Sequence, residues 1–222
     1  MVCATPRTGS SLLLGLLDSS GVAGHPEAYF RDQDQATWAG EWGLGDSYEY
    51  LDFVRAAQAA GSTPNGLFGA KLMWGTLDEV VAKLGSGGSD RAVLERAFGR
   101  IAFVYLWRDD VVAQAVSRVR AEQTGVWWDG QSHAAGAVPS FDAGAITKYT
   151  EEISEHNAAW RSWFAHHGVE PRPVRYEDLD ADNPGVTAGV LDFLGVRAAG
   201  PIVARHRRQA DDLNRDWIAR YS

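Results

Sequence analysis

Short apolar runs alternate along the chain with longer segments of helical periodicity. The runs at residues 2–5, 67–73 and 101–107 are bounded by turn or polar residues, which predicts buried strands. A shorter run at residues 173–175 predicts one more strand. Periodic apolar positions predict helices that begin near Ser10, Asp109 or Asp110, and Pro184, and others over 47–60, 76–84, 90–98, 143–167 and 215–221.

This alternation of strands and helices predicts an α/β fold of three layers, in which helices cover both faces of a central, mostly parallel sheet. In sheets of this kind, ligands bind at the carboxyl ends of the strands. We therefore expect the chemistry of the protein just after Thr5, after Met73 and after Trp107.

Two stretches of the chain lack a clear period. Residues 21–30 are predicted to be extended or irregular, and an irregular, polar, tryptophan-rich segment follows to about Asp46. Residues 125–141 predict a long loop, and loops of that length in compact domains are usually functional or mobile.

Tryptophans are frequent, with nine in the chain, and Trp38, Trp42, Trp127 and Trp128 lie in these irregular stretches. Tryptophans in such places either anchor long loops to the core or offer flat aromatic faces to the C–H faces of a sugar ring. Under the second interpretation, Trp42, Trp74 and Trp127 would contact the sugar.

Length and charge narrow the class of protein. The 222 residues suffice for one domain, spanning 1–222, with a sizeable core. A net charge of −8 argues against nucleic acid or an anionic membrane surface as a partner. Cys3 is the single cysteine, so no internal disulfide can form, as suits a reducing cytoplasm. No apolar run is long enough to span a bilayer and no signal-peptide pattern is found, so we expect a cytoplasmic protein.

The turn between the first strand and the first helix has the composition of an anion site. Backbone N–H groups at a helix N-terminus favour an anion, a glycine allows a close turn, hydroxyl groups add donors, and an arginine adds positive charge. These groups come from Pro6, Arg7, Thr8, Gly9, Ser10 and Ser11. The turn is not a Walker A loop, because no Gly-Lys-Ser/Thr follows. Taken alone, it could also be an ordinary capped turn.

A second group of polar residues follows the third strand. Arg108 leaves the end of that strand, and Ser117 lies about two and a half turns along the next helix. An arginine fork and a hydroxyl donor would bind a second phosphate beside the first. The alternative is a surface arginine and an unrelated helix serine.

Together the two motifs resemble those of sulfotransferases that use 3′-phosphoadenosine-5′-phosphosulfate (PAPS). Residues 6–12 resemble the loop that binds the 5′-phosphosulfate. Arg108 and Ser117 resemble the arginine and serine that hold the 3′-phosphate. Residues 176–179, a later proline and residues 193–195 resemble a third block of that family.

The likeness is stronger to the bacterial trehalose 2-sulfotransferase family and runs in the same order along nearly the whole chain. It extends over residues 21–30, 65–74, 117–127 and 208–210. The resemblance implies that Tyr176, Arg208 and Gln209 also belong to the donor site.

From this resemblance we expect a P-loop-like sulfotransferase fold, PAPS as the donor, its desulfonated form PAP as a product, and a homodimer. The acceptor would be a hydroxyl of a trehalose-like sugar or of another small molecule. No metal is expected, because a sulfuryl group carries less charge than a phosphoryl group and positive side chains can suffice. The sequence also contains no HExxH motif and no Cys/His cluster.

In-line transfer needs stabilisation of the charge that develops on the bridging oxygen. Arg7 and the backbone N–H groups of its turn are placed by sequence to provide it. Lys71, near the end of the second strand, could contact the sulfuryl group or the acceptor, or it could be a solvated lysine at a strand end.

The general base has two candidates in the sequence. The related sulfotransferases place a glutamate directly before two aromatics, where this chain has Ala28 before Tyr29 and Phe30. Glu27 lies one residue earlier, and in an extended segment a shift of one residue points a side chain to the opposite face. Either Glu27 is nevertheless the base, which we favour, or His25 is, since its ordinary pKa suits neutral pH.

Two rival functions remain at the level of sequence. A small-molecule kinase that uses ATP would need Mg²⁺ and a Gly-Lys-Ser/Thr loop, which is missing. A nucleotide- or sugar-binding module without catalysis would explain the alanine at position 28.

Overall fold

The centre of the protein is a parallel sheet. The computed structural model describes residues 1–85, 87–127, 138–204 and 212–221. Within these residues the strands are β1 (Val2–Ala4), β2 (Lys71–Met73), β3 (Val104–Trp107) and β4 (Arg172–Arg175), in the spatial order β2-β1-β3-β4. All of the pairings are parallel, so the carboxyl ends of these strands meet at one edge of the sheet.

Helices form the outer layers and follow the strands in the predicted alternation. Their bounds are α1 (Ser10–Ser19), α2 (Asp32–Glu41), α3 (Tyr50–Gly61), α4 (Trp74–Leu84), α5 (Asp90–Phe98), α6 (Val111–Thr124), α7 (Ala143–His166), α8 (Tyr176–Ala181), α9 (Asn183–Leu194) and α10 (Asp212–Tyr221).

Both faces of the sheet are buried, because successive side chains of a strand point to opposite faces. Cys3 and Leu72 pack on one face against α3, α4, α5 and α7. Val2 and Ala4 pack on the other face against α1 and α9. A third cluster, around Trp217, joins α6, α7 and α10. The predicted α/β fold of three layers is confirmed.

Strand boundaries differ from the prediction by more than one residue at two places. The second strand begins at Lys71 rather than at residue 67, because residues 64–66 form a turn and residues 67–70 make only isolated bridges, from Phe68 to Ser62 and from Ala70 to Glu27. The third strand begins at Val104 rather than at residue 101.

The prediction that the tryptophan-rich segment is irregular was wrong, since it contains α2. Asp32 and Asp34 lie in the first turn of this helix, where carboxylates are favourable. Trp38 and Trp42, one helical turn apart, stack with ring centroids 5.4 Å apart, and Trp42 packs on Phe53 of α3. Aromatic contacts with another helix therefore stabilise a segment whose own sequence is polar.

Later parts of the chain also differ in detail. Residues 176–181 form the short helix α8 directly after β4, and the last helix begins at Asp212 rather than at residue 215. Residues 128–137 of the predicted long loop lie outside the described residues. Within the described ranges, none of the helices is both long and apolar enough to cross a bilayer.

Candidate functional site

The turn predicted to bind an anion lies at the carboxyl end of β1 and enters α1. We call residues 6–11 the anion loop. Arg7 and Gly9 have positive φ angles of 66° and 81°. A Cβ atom at Gly9 would lie 2.5 Å from Cδ2 of Tyr176. Glycine is therefore required at this position both by the backbone conformation and by the packing of the Tyr176 ring on the loop.

Buried side chains hold the anion loop from below. The Thr8 hydroxyl donates to the Thr5 carbonyl at 2.9 Å. The Gln114 side-chain amide donates to Thr5 Oγ1 at 2.9 Å and to the Pro6 carbonyl at 2.6 Å. The indole N–H of Trp160 donates to the Ala4 carbonyl at 3.1 Å. The backbone ahead of α1 is thus held by α6 and α7 as well as by its own turn.

The first turn of α1 offers the groups that an anion needs. Gly9 is its N-cap and has no side chain to satisfy the free N–H groups of the turn. Ser10 is buried and Ser11 half-buried at the start of the helix. The positive end of the helix dipole and these donors favour a phosphate-like group at this point.

Arg7 joins the two motifs found in the sequence. Its Nε donates to Ser117 Oγ of α6 at 2.9 Å, and a terminal guanidinium N–H donates to the main-chain carbonyl of Trp127. Arg7, Ser117 and the backbone of Trp127 therefore meet at the same edge of the sheet.

Arg108 lies beside the same loop. Its guanidinium stacks over the Tyr176 ring, 4.7 Å from the centroid, and that ring also packs on Gly9. The Nε of Arg108 is buried and has no hydrogen-bond acceptor among the described residues. A buried cationic donor without an acceptor costs free energy, so the position fits an anionic ligand.

Positive charge accumulates around Arg7. Burial, together with Arg108 and Arg120, lowers the pKa of Arg7 to about 10, so the guanidinium remains charged at neutral pH. Arg120 of α6 was not among the predicted site residues, and it donates to Asn214 Oδ1 of α10 at 2.6 Å. Arg120 follows Ser117 by three residues, and this helical spacing is the sequence signal that could have identified it. This local charge contrasts with the net charge of −8.

Lys71 is the first residue of β2 and not near its end as predicted, because the strand begins four residues later than expected. It nevertheless belongs to the same electrostatic environment as Arg7. Burial, and then the charge of Arg31, lower the pKa of Lys71 to about 8; Glu27 raises it and Arg7 lowers it further. The backbone N–H of Lys71 donates to the Glu27 carbonyl at 2.9 Å. Lys71 is half-buried, which does not support the alternative of a solvated lysine at a strand end.

Glu27 and His25 lie at different places. Glu27 pairs with Ala70 in an isolated parallel bridge, and its exposed carboxylate is close enough to Lys71 to raise the pKa of that lysine. His25 Nδ1 lies 2.6 Å from the carboxylate of Asp18. Asp18 is eight residues beyond Ser10 in α1, which is about 12 Å along the helix from the anion loop.

Trp42 and Trp74 pack in the core on the α3, α4 and α7 face of the sheet. Trp42 stacks on Trp38, and Trp74 meets Trp160 edge to face with centroids 5.1 Å apart. Trp74 also lines a surface cavity of about 590 Å³ beside α7. Leu72 of β2 packs in the same cluster as Trp42 and Trp74, whereas Met73 packs on the opposite face of the sheet with α1 and α9. The structure thus joins Trp127 to the loop but gives Trp42 and Trp74 a packing role.

Two of the expected donor residues, Arg208 and Gln209, lie outside the described residues. In the part of the chain that the structure describes, no group of three or more His, Cys, Asp or Glu residues is arranged to hold a metal ion.

A loop with helix-N-terminal donors and half-buried arginines, at the carboxyl edge of a parallel sheet, is typical of enzymes that transfer a group from a phosphate-bearing donor. The family model described as Stf0 sulphotransferase matches residues 1–222, and the chain belongs to that family. It is similar to the trehalose 2-sulfotransferase of Mycobacterium tuberculosis, with 32% identity over 251 aligned positions. The same enzyme of Mycolicibacterium smegmatis is 30% identical over 254 positions. Each alignment covers 100% of this chain and 93% of the relative.

Proposed function

We propose that this sulfotransferase takes its sulfuryl group from PAPS and places it on a hydroxyl of a trehalose-like sugar. The observation that carries the donor assignment is the meeting of the anion loop, Arg7, Arg108 and Ser117 at one edge of the sheet. The acceptor assignment is supported by the two relatives, both of which are trehalose 2-sulfotransferases.

The residues present fit a donor with two phosphate groups. The anion loop would hold the 5′-phosphosulfate through the N–H groups of α1 and the hydroxyls of Ser10 and Ser11. Arg108, with its buried and unsatisfied Nε, and Ser117 would hold the 3′-phosphate. Tyr176 supports both, since its ring contacts Gly9 and lies under Arg108. We keep Arg208 and Gln209 as donor residues on the resemblance alone.

PAPS supplies a sulfur that forms a bond to the acceptor oxygen while its bond to the bridging phosphate oxygen breaks, and that oxygen leaves with the electron pair. Arg7 stabilises the charge on the leaving oxygen, together with the N–H groups of the loop. Lys71, in its protonated form, would contact the sulfuryl oxygens from the neighbouring strand. Positive charge supplied by side chains makes a metal ion unnecessary in this proposal.

Glu27 is the general base in this proposal and removes the proton of the acceptor hydroxyl. Its main chain pairs with the residue before Lys71, whereas His25 is held by Asp18 toward the far end of α1. Trp127 would contact the sugar, because its carbonyl already lies at Arg7. Trp42 and Trp74 remain weaker proposals for the same role.

A transfer assay with radiolabelled PAPS tests this function. We expect label on trehalose or a related disaccharide, without added Mg²⁺, and none on phenols or lipids. ATP with Mg²⁺ and the same acceptors is the control for a kinase. Phosphorylated sugar would contradict sulfuryl transfer, and PAP binding without any transfer would indicate a binding module.

We also propose that residues 1–222 form one domain, that the protein is cytoplasmic, and that it is a homodimer. Sedimentation velocity at several protein concentrations tests the last point. A sedimentation coefficient of a monomer at all concentrations would exclude the dimer. A single cooperative unfolding transition would support one domain, and fractionation of cells that express the protein would test its location.

A further inference from the structure

Gln114 of α6 lies directly beneath the anion loop. Its side chain is fully buried, with 0% of its surface exposed. Its amide nitrogen donates to the Pro6 carbonyl at 2.6 Å and to Thr5 Oγ1 at 2.9 Å. A buried side-chain amide that donates both of its N–H groups to one short segment constrains the position of that segment.

The orientation of this side-chain amide follows from its partners. The Pro6 carbonyl can only accept a hydrogen bond, so the NH₂ group of Gln114 must face it. The Oε1 atom is then left buried without a hydrogen-bond partner among the described residues. Because an unsatisfied buried oxygen is unfavourable, the fold retains Gln114 at a cost, which suggests a role beyond stability.

The bond to Pro6 determines the direction of the next backbone N–H. No cis peptide bond is found in the described chain, and the C=O and N–H of a trans peptide point in opposite directions. When Gln114 draws the Pro6 carbonyl into the protein, the Arg7 N–H of the same peptide points out toward the anion side of the loop.

Arg7 needs such a constraint, because its φ of 66° lies in the left-handed region that non-glycine residues avoid. The residue whose guanidinium meets Ser117 is thus also the residue whose backbone is strained. An external bond to the preceding carbonyl can maintain this conformation before the donor binds, which lowers the cost of ordering the loop on binding.

We propose that Gln114 is a positioning residue for the sulfuryl donor, which it serves by fixing the Pro6–Arg7 peptide so that the Arg7 N–H faces the 5′-phosphosulfate. This inference rests on the PAPS site proposed above. Gln114 does not contact the donor in this account. It acts through the loop, so its replacement affects the donor and not the acceptor.

The test compares Gln114→Glu and Gln114→Met with Thr187→Val. The Glu variant keeps the shape but sets a carboxyl oxygen against the Pro6 carbonyl, and the Met variant keeps the volume without any donor. Thr187 is a matched control, since it is also buried and polar but lies on α9, where its hydroxyl donates to the Asn183 carbonyl of the same helix. Thermal unfolding, PAP affinity by calorimetry, and KM for donor and acceptor are measured for each.

We expect both Gln114 variants to bind PAP about tenfold more weakly, which corresponds to about 1.4 kcal/mol. The KM for PAPS should rise by a similar factor while the KM for the acceptor stays within about twofold. Thr187→Val should lower the midpoint of unfolding without changing PAP affinity.

Unchanged PAP affinity in a folded Gln114 variant would overturn the inference, as would an equal rise of KM for both substrates. A loss of PAP affinity in Thr187→Val would show that any destabilisation suffices and would overturn it as well. If neither Gln114 variant folds, Thr5→Val, which removes one acceptor of the same amide, must weaken PAP binding several-fold. If the wild type does not bind PAP, the proposed function has failed instead.

Discussion

The Nε of Arg7 lies 2.9 Å from the Oγ of Ser117, although the two residues are far apart in the chain. Since the serine oxygen accepts this bond, its own hydroxyl proton remains available for a second acceptor. Arg7 and Ser117 can thus act as one unit, in which the arginine orients the hydroxyl toward an anion. This contact joins the turn after β1 to the helix after β3.

Removal of either half-buried arginine of the site should weaken PAP binding. We expect Arg7→Ala and Arg108→Ala each to cost at least about 1.5–3 kcal/mol, the range of a charge-assisted hydrogen bond. Isothermal calorimetry with PAP measures the loss. Arg55→Ala is the control, since Arg55 is exposed and pairs with Asp52 of its own helix. Unchanged titration curves for both Arg7→Ala and Arg108→Ala would contradict the site assignment.

Loss of the Ser117 hydroxyl should have a smaller but distinct effect. Ser117→Ala removes a donor to the ligand and also leaves Arg7 Nε without this acceptor, so we expect a cost of about 1–3 kcal/mol in PAP binding. Ser154→Ala on α7 is the control, because Ser154 is exposed and bonds within its own helix. Equal PAP affinities of the two variants would remove Ser117 from the donor site.

The glycine of the anion loop should not tolerate a methyl group. Gly9→Ala places a Cβ 2.5 Å from the Tyr176 ring at a φ of 81°, and the left-handed backbone alone costs about 1–2 kcal/mol. We expect weaker PAP binding and a lower midpoint of thermal unfolding. Gly43→Ala separates the two causes, since its φ is 69° but nothing lies within 4 Å of a Cβ there. If both variants bind PAP equally well, the Tyr176 contact has no role in the loop.

Substitution of each of the two candidates for the general base should have opposite effects on turnover. If Glu27 is the base, Glu27→Gln should abolish turnover and leave PAP binding intact, while His25→Asn should retain most activity. We would measure initial rates at saturating donor, and PAP affinity by calorimetry, for both variants. Activity of Glu27→Gln within a few-fold of the wild type would exclude Glu27 from the role. Loss of activity in His25→Asn alone would assign it to His25.

Lys71 should make donor binding dependent on pH. Its pKa is lowered to about 8, so the ammonium loses its proton and its charge as the pH rises through that value. We therefore expect the affinity for PAPS, measured without acceptor, to fall between about pH 7 and pH 9.5, above the range in which its 3′-phosphate monoester titrates, near about pH 6.

Lys71→Met should bind PAPS more weakly at pH 7 and show a flat profile, whereas Lys71→Arg should keep its affinity for PAPS at high pH because a guanidinium stays charged. Calorimetry in buffers of matched ionic strength is the measurement. If Lys71→Met shows the same pH profile as the wild type, the pH dependence belongs to another group.

The same lysine affects stability. Since burial lowers the pKa of Lys71, its charged form destabilises the fold at low pH, and that cost is relieved as the pH rises above about 8.

Much of the fold and of the donor site could be predicted from the sequence. Apolar runs and capping residues are local signals, and they identified the alternation of strands with most of the helices and the turn at residues 6–11. Parallel strands bring their carboxyl ends to one edge, so Arg7 and Arg108 could be assigned to one neighbourhood without coordinates, whereas Lys71 lies at the other end of β2. The family followed from the same motifs and is shown by the match over residues 1–222.

Contacts between distant segments were decided by the tertiary structure alone. The polar segment around α2 is helical because its tryptophans pack on Tyr29 and Phe53, a gain that no local pattern contains. The Tyr176 ring on Gly9 and the Gln114 amide under Pro6 likewise join residues with no periodic relation in sequence. Local propensity and pattern depend on neighbours in the chain, whereas packing and buried hydrogen bonds depend on neighbours in space.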